Sequence, residues 1–247
     1  MQDKSKEKAF FDKFSSAKEY DVLTREGYRR IIEEYLKLID KFVSDKPGAL
    51  KIIDLGCGTG AFTRVFKEMV DNDFFGLDIS VKSAALAAKL SPAIHYCAGD
   101  IEQCCFKDET FDIVLFSGVL HHFEDFDTCL REAHRILKYS GCVLSYDPNI
   151  KNPFMWLYRH PSSPFFSQKG KTENERLLSA EQVRSAMEKT GFCNVVTRCK
   201  SGITFKYIES TVGRFFLPFY NLFEVLLGIS PLASRYGSFL IGYGKKA

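Results

Sequence analysis

The chain has little net charge: 34 basic and 31 acidic residues among 247 leave +3. Such balance excludes the broad basic surface a polyanion requires, and Lys169-Gly170-Lys171 is too short to form one, so no nucleic acid partner is expected. Among eight cysteines no C-x-x-C pair occurs. The adjacent Cys104-Cys105 suits neither a disulfide nor a metal, so these read as reduced core thiols of a cytoplasmic protein, with no metal. The opening MQDKSKEKAF lacks the apolar core of a signal peptide. No stretch reaches the ~18 uninterrupted apolar residues of a membrane span. The nearest, FFLPFYNLFEVLLGI from Phe215 to Ile229, is interrupted by Pro218, Asn221 and Glu224. Internal repeats and low-complexity segments are also lacking.

What is there is apolar content of 45%, ample for the core of one domain over 1–247. Residues 5–16 and 24–43 have helical spacing and form an N-terminal cap over 1–46, the second helix carrying Tyr28, Ile31, Ile32, Tyr35, Leu36 and Ile39 on one stripe. From residue 50 short apolar runs alternate with helical patterns: strands at Leu50–Leu55, Phe74–Asp78, Ala93–Ala98, Phe111–Ser117 and Gly141–Tyr146, with helices near 60–71, 81–90 and 126–138. Strands apolar on both faces predict a mostly parallel sheet covered by helices on both sides. Ligands of such sheets sit beyond the carboxyl ends of the strands. Residues 149–178 read as a long loop or lid. Ser179-Ala180-Glu181-Gln182 has the form of a capping box opening a helix that Gly191 ends. Strands are expected at 193–199 and 237–245, with an aromatic insert at 200–236 between them.

The turn IIDLGCGTGA, Ile52 to Ala61, allows two readings. As Gly56-x-Gly58-x-x-Ala61 it matches a dinucleotide fingerprint. As Asp54-x-Gly56-x-Gly58-x-Gly60 it suits another cofactor. A pyrophosphate turn holds negative charge on backbone N–H groups, and Asp54 beside it would repel phosphate. A sulfonium and an ammonium would instead be attracted, directly or through water. Asp78, ending the second strand, can accept both ribose hydroxyls, although dinucleotide sites use an acid there too. Asp100, after the third strand, can accept from an adenine amino group. These three acids favour S-adenosylmethionine over a nicotinamide cofactor.

The segments IIDLGCGTG, GLDIS, AGDIE, FDIVLFSGVLHHFED and LREAHRILKYSGCVLSYDPN resemble the class I S-adenosylmethionine-dependent methyltransferases, in their broad small-molecule branch. The resemblance spans residues 50–147 closely and the last helix and strands loosely. It implies an α/β, Rossmann-like doubly wound seven-stranded sheet, mostly parallel with the last strand antiparallel. On this fold Gly56, Cys57, Gly58 and Gly60 would line the methionine and ribose part. Asp78 would hold the ribose, Ile79 and Ile101 would flank the adenine, Asp100 would bind its amine, and Ser117 and Gly118 would meet the methionine end through backbone. The family's Lys-Pro-Gly-Gly turn before strand five is here Lys138-Tyr139-Ser140-Gly141.

Methyl transfer needs a base only when the nucleophile must lose a proton. His121 and His122, following strand four, are the candidates, ahead of Tyr146, Asp147, Asn149 and His160. Asp147-Pro148-Asn149 resembles the Asp-Pro-Pro-Tyr motif of nitrogen methylators, but follows the wrong strand. The acceptor side should come from the N-terminal helices, the 149–178 lid and the 200–236 insert. Their aromatic content suggests a small hydrophobic or lipid-linked acceptor, or a peripheral membrane contact, with Arg159, Lys169, Lys171 and Arg214 available to anionic groups. A catalytically silent S-adenosylmethionine-binding assembly protein is the reading from another class.

Overall fold

The computed structural model describes residues 4–14, 22–42, 48–166, 172, 174–207 and 211–247. Helices α1 (Lys4–Phe14) and α2 (Arg25–Phe42) lead into β1 (Lys51–Leu55), α3 (Ala61–Met69), β2 (Asp73–Asp78), α4 (Val81–Leu90), β3 (His95–Ala98) and β4 (Phe111–Ser117). After a single 3-10 turn, Leu120–His122, come α5 (Asp127–Ile136), β5 (Leu137–Pro148), α6 (Pro153–Arg159), α7 (Ala180–Lys189), β6 (Phe192–Lys200), α8 (Thr211–Gly228), α9 (Ala233–Tyr236) and β7 (Phe239–Lys246).

The seven strands form one sheet in the order β3-β2-β1-β4-β5-β7-β6, and only β7 runs against its neighbours. Because side chains alternate along a strand, each strand feeds two cores. Ile52, Phe74, Ile113, Leu115 and Leu144 pack with Ile31, Tyr35, Phe62 and Phe66 on one face. Ile53, Leu77, Val114, Phe116 and Val143 pack with Leu130, Ala133, Val183 and Met187 on the other. Strand order reverses between β1 and β4, so their carboxyl ends open a crevice where loops diverge.

Three expectations are corrected. The 149–178 segment is not all loop: Asn152 accepts from the Met155 N–H (2.9 Å) and Pro153 follows as first residue, which starts α6. The aromatic insert, for which the sequence predicted no regular structure, is largely helical, and α8 runs through Pro218. Its buried Tyr220, Glu224 and Leu227 bind it to the body, and this packing outweighs the local cost of the proline. Strand five begins at Leu137, so Lys138 to Gly141 form an irregularity within the strand, with Ser140 at φ 61. The predicted capping box at Ser179 and Gln182 is present. Lys169 and Lys171 lie outside the described residues.

Candidate active site

The glycine turn after β1 is built by steric need. Gly56 and Gly60 have φ of 79 and 73, a region that disfavours side chains. A Cβ on Gly60 would stand 2.3 Å from Tyr96 Oη, and one on Gly56 would stand 2.5 Å from Val119 Cγ2. The turn therefore lies tight against β3 and the loop after β4. Asp78 locks it from β2: its Oδ2 accepts from Gly58 N–H (2.8 Å) and its Oδ1 from Ser80 N–H (2.9 Å).

A cavity opens at this crevice. Gly56, Cys57, Gly58, Asp78, Ile79, Asp100, Ile101, Ser117 and Gly118, all candidates from the sequence, are brought together in its lining. His121, His122 and Tyr146 also reach it. Its remaining wall carries a group of apolar side chains, Phe10, Phe11, Leu23, Phe62, Phe205 and Phe239, together with the charged Lys4, Glu7, Arg159 and Glu175. The apolar ones come from α1, the segment before α2, α3, the insert and β7, which is why no short motif announces them.

Other candidates lie elsewhere. Asp54 is wholly buried and is not among the cavity-lining residues; its Oδ2 accepts from the Thr63 hydroxyl (2.6 Å). Burial pushes its carboxyl up to about 6. Its Oδ1 and Ser117 Oγ are both buried without a hydrogen-bond partner among the described residues. Burial likewise pushes Asp78 up to about 6. Gly60 caps α3 outside the lining. Asn149 holds the backbone of Gly237 (2.8 Å), and His160 stacks on Trp156, so neither joins the cavity. Asp100 does line the cavity, yet its Oδ2 already accepts from Lys4 Nζ (2.5 Å), so α1 is tied across this end of the site.

His121 is the most constrained of the titratable groups. Its Nδ1 is 2.9 Å from Asp147 Oδ1, and its backbone N–H donates to the same oxygen (3.0 Å). Burial, then His122 and Arg159, hold His121 well below the usual histidine range. Burial and Arg159 lower His122 to about 3, and its Nδ1 meets Thr172 Oγ1 at 3.1 Å. Asp147, buried in turn, is pushed well above the usual carboxylate range. The lid returns beside this pair: Arg176 N–H donates to the His121 carbonyl (3.0 Å), and Glu175 pairs with Arg159. Donor atoms of His121, His122 and Glu175 lie within 4.8 Å of one another, a spacing that suits a cation. Here Arg159 already neutralises Glu175 and its charge bears on both imidazoles, so the cluster is balanced without one. Glu175 carries no local sequence signal, since its place depends on the fold of the returning lid.

Residues 53–145 match a family model described as a methyltransferase domain. The demethylmenaquinone methyltransferase of Chlorobaculum parvum is 33% identical over 106 residues, covering 42% of this chain and 44% of that protein. The chain spans half or less of the length of the demethylmenaquinone methyltransferases it matches. A solved S-adenosylmethionine-dependent methyltransferase from Thermotoga maritima, described as a possible histamine N-methyltransferase, has a TM-score of 0.63 at 19% identity, covering 97% of this chain and 99% of that one. Phosphoethanolamine N-methyltransferase 2 of Haemonchus contortus, solved with S-adenosylhomocysteine, has a TM-score of 0.63 at 17% identity, covering 97% and 59%. At these identities the structural likeness speaks for the fold.

Proposed function

Residues 53–145 match a methyltransferase domain, and from that premise we propose that the chain is a class I S-adenosylmethionine-dependent methyltransferase acting on a small hydrophobic or lipid-linked acceptor. One observation carries this reading: a single cavity joins a glycine-and-acid wall, an aromatic wall and a histidine held by a carboxylate.

The first wall fits a cationic nucleoside. Asp78 has lone pairs left over after its two backbone contacts, enough to accept ribose hydroxyls. Buried Asp54 faces Ser117, which lines the cavity, so a bridging water at Ser117 would link the pair to a polar ligand. Two buried acids around the turn disfavour a pyrophosphate. Asp100 would hold the adenine amine, Ile79 and Ile101 its ring, and the backbone of Gly56, Cys57, Gly58 and Gly118 the amino-acid end. When bound, S-adenosylmethionine supplies a methyl carbon already activated by its sulfonium leaving group.

The protein's own residues then orient the acceptor and keep water out. In the tautomer in which Nδ1–H donates to an ionised Asp147, Nε2 is the ring nitrogen of His121 left to take a proton from a hydroxyl or amine acceptor. The low proton affinity imposed by burial keeps His121 neutral at neutral pH, which is the form a base requires. Phe10, Phe11, Phe205 and Phe239 supply apolar contact to the acceptor. The demethylmenaquinone methyltransferases, by their name, act on a quinone, which agrees with such a wall.

The test is to incubate the purified chain with isotopically labelled S-adenosylmethionine and separate lipid, quinone and polar-metabolite extracts, and to read label transfer by mass spectrometry. Label should appear in the apolar fractions. Turnover confined to small, highly polar acceptors and unchanged on deleting 200–236 would sink the acceptor class. No transfer at all, with tight cofactor binding, would favour the silent binding protein.

A further inference from the structure

Helix α8 has two edges of opposite character. Its inner edge is pinned. Glu224, with Tyr220 and Leu227, is buried; its Oε1 accepts from Asn152 Nδ2 (2.9 Å), and its Oε2 accepts from Ser238 Oγ (2.9 Å) and the Gly202 N–H (3.2 Å). Tyr220 packs edge-on against Phe205, which lines the cavity. The outer edge carries Phe215, Phe219, Leu222 and Leu226 at helical spacing, with exposures of 70, 60, 58 and 55%, and Ile229, 85% exposed, follows just past the helix end. Scattered apolar residues on a surface are ordinary, but a stripe of four large ones on a helix whose rotation is fixed from behind, with a fifth just past its end, is not.

We propose that this edge of α8 docks on the surface of an anionic lipid bilayer, with the helix lying in the plane of the interface. Length favours this placement over insertion: no described helix is long and apolar enough to cross a membrane, whereas an amphipathic helix buries one face at the headgroup boundary. Charge favours lipid over a second copy of the chain. Arg214 lies near the start of α8 and Arg235 lies in α9 beyond its end; both are exposed, and each guanidinium stands over a tyrosine ring, Tyr207 and Tyr236 respectively. Two copies joined through the stripe about a two-fold axis would set Arg214 against Arg235, or each arginine against itself. Glu224, the one acid in 211–247, points inward and cannot relieve either arrangement. Lipid phosphates meet both ends of the stripe with the opposite charge, and arginine with tyrosine is the pairing that suits an interface. The contact of Tyr220 with Phe205 then links the docked helix to the cavity wall, so an apolar acceptor would enter from the lipid. That last link rests on the proposed acceptor class; the docking does not.

The full chain should sediment with vesicles of equal parts phosphatidylcholine and phosphatidylglycerol. It should bind vesicles of phosphatidylcholine alone far less, and added salt should release it. Leu222→Glu together with Leu226→Glu should lower the bound fraction about tenfold or more, with Tm and S-adenosylmethionine affinity unchanged because neither side chain is buried. Lipid binding without cofactor binding would uphold the docking while sinking the methyltransferase reading. The proposal is overturned if the unaltered chain ignores both vesicles, if the double variant sediments as well as the parent, or if light scattering shows a dimer that the variant dissolves.

Discussion

His121 Nδ1 lies 2.9 Å from Asp147 Oδ1 although 26 residues separate them in the chain. The contact spans adjacent strands, one residue following β4 and the other near the end of β5. Asp147 therefore acts as a positioning residue, fixing the ring of His121 while itself staying out of the cavity lining. His121→Ala should lower kcat about 10²- to 10⁴-fold for an acceptor that loses a proton. Asp147→Asn should lower kcat with little change in cofactor Kd. Because His121 is held below its ordinary range, the parent enzyme should keep a flat pH–rate profile from neutrality into mild acid. A wild-type kcat in Asp147→Asn would remove the pair from the mechanism.

Asp78 should be the principal anchor of the cofactor. Asp78→Ala removes the acceptor of two backbone N–H groups as well as the expected ribose contact, so S-adenosylmethionine binding should weaken by about 1–3 kcal/mol. Titration calorimetry reads this directly. Unchanged affinity would show that the ribose is held elsewhere.

Buried Asp54 and Asp78 give the cofactor-free chain a pH-dependent stability. Both carboxyls are raised to about 6 in the fold by burial, above their values in the unfolded chain. A raised folded-state value means that the folded chain binds these protons more tightly. Their contribution is complete below the ordinary carboxylate range, about pH 4, and is lost as pH rises through about 6. Asp54→Asn keeps a side-chain oxygen for the Thr63 hydroxyl and removes one of the two terms. Its Tm should therefore fall less steeply than the parent's across that window by scanning fluorimetry. Parallel curves would show that Asp54 ionises as it does in the unfolded chain.

Glu224 should be a main anchor of α8. Glu224→Ala leaves Asn152, Gly202 and Ser238 with buried donors facing a gap, and the loss should be at least about 2 kcal/mol by urea unfolding. Hydrogen exchange should show the loss concentrated in 200–238. A uniform change across the sheet would place the anchor elsewhere.

The sheet core was legible because local rules and tertiary packing agree there. The capping residue Ser179, the glycines before α3 and the doubly apolar strands each demand one conformation whatever surrounds them. The insert shows the reverse: its aromatics and Pro218 announce no helix, and α8 forms because burial of Tyr220, Glu224 and Leu227 outweighs the cost of the proline. Most of the cofactor wall could be read for the same reason as the core, since its residues follow consecutive strands. Asp54 was read as meeting the ligand directly or through water, and its burial against Thr63 leaves the second of these, a distinction that spacing alone does not make. The tie between Lys4 and Asp100, and Arg159 with Glu175, join segments far apart in the chain, so no local pattern records them.

Asn152 has a consequence for how the molecule opens. Its Oδ1 starts α6, while its amide grips Glu224 of α8 and the carbonyl of Tyr236 just before β7 (2.8 Å). The lid and the insert, which look independent along the chain, are thus hitched at one side chain. One substitution there should loosen both at once: Asn152→Ala should raise hydrogen exchange in α6 and α8 together.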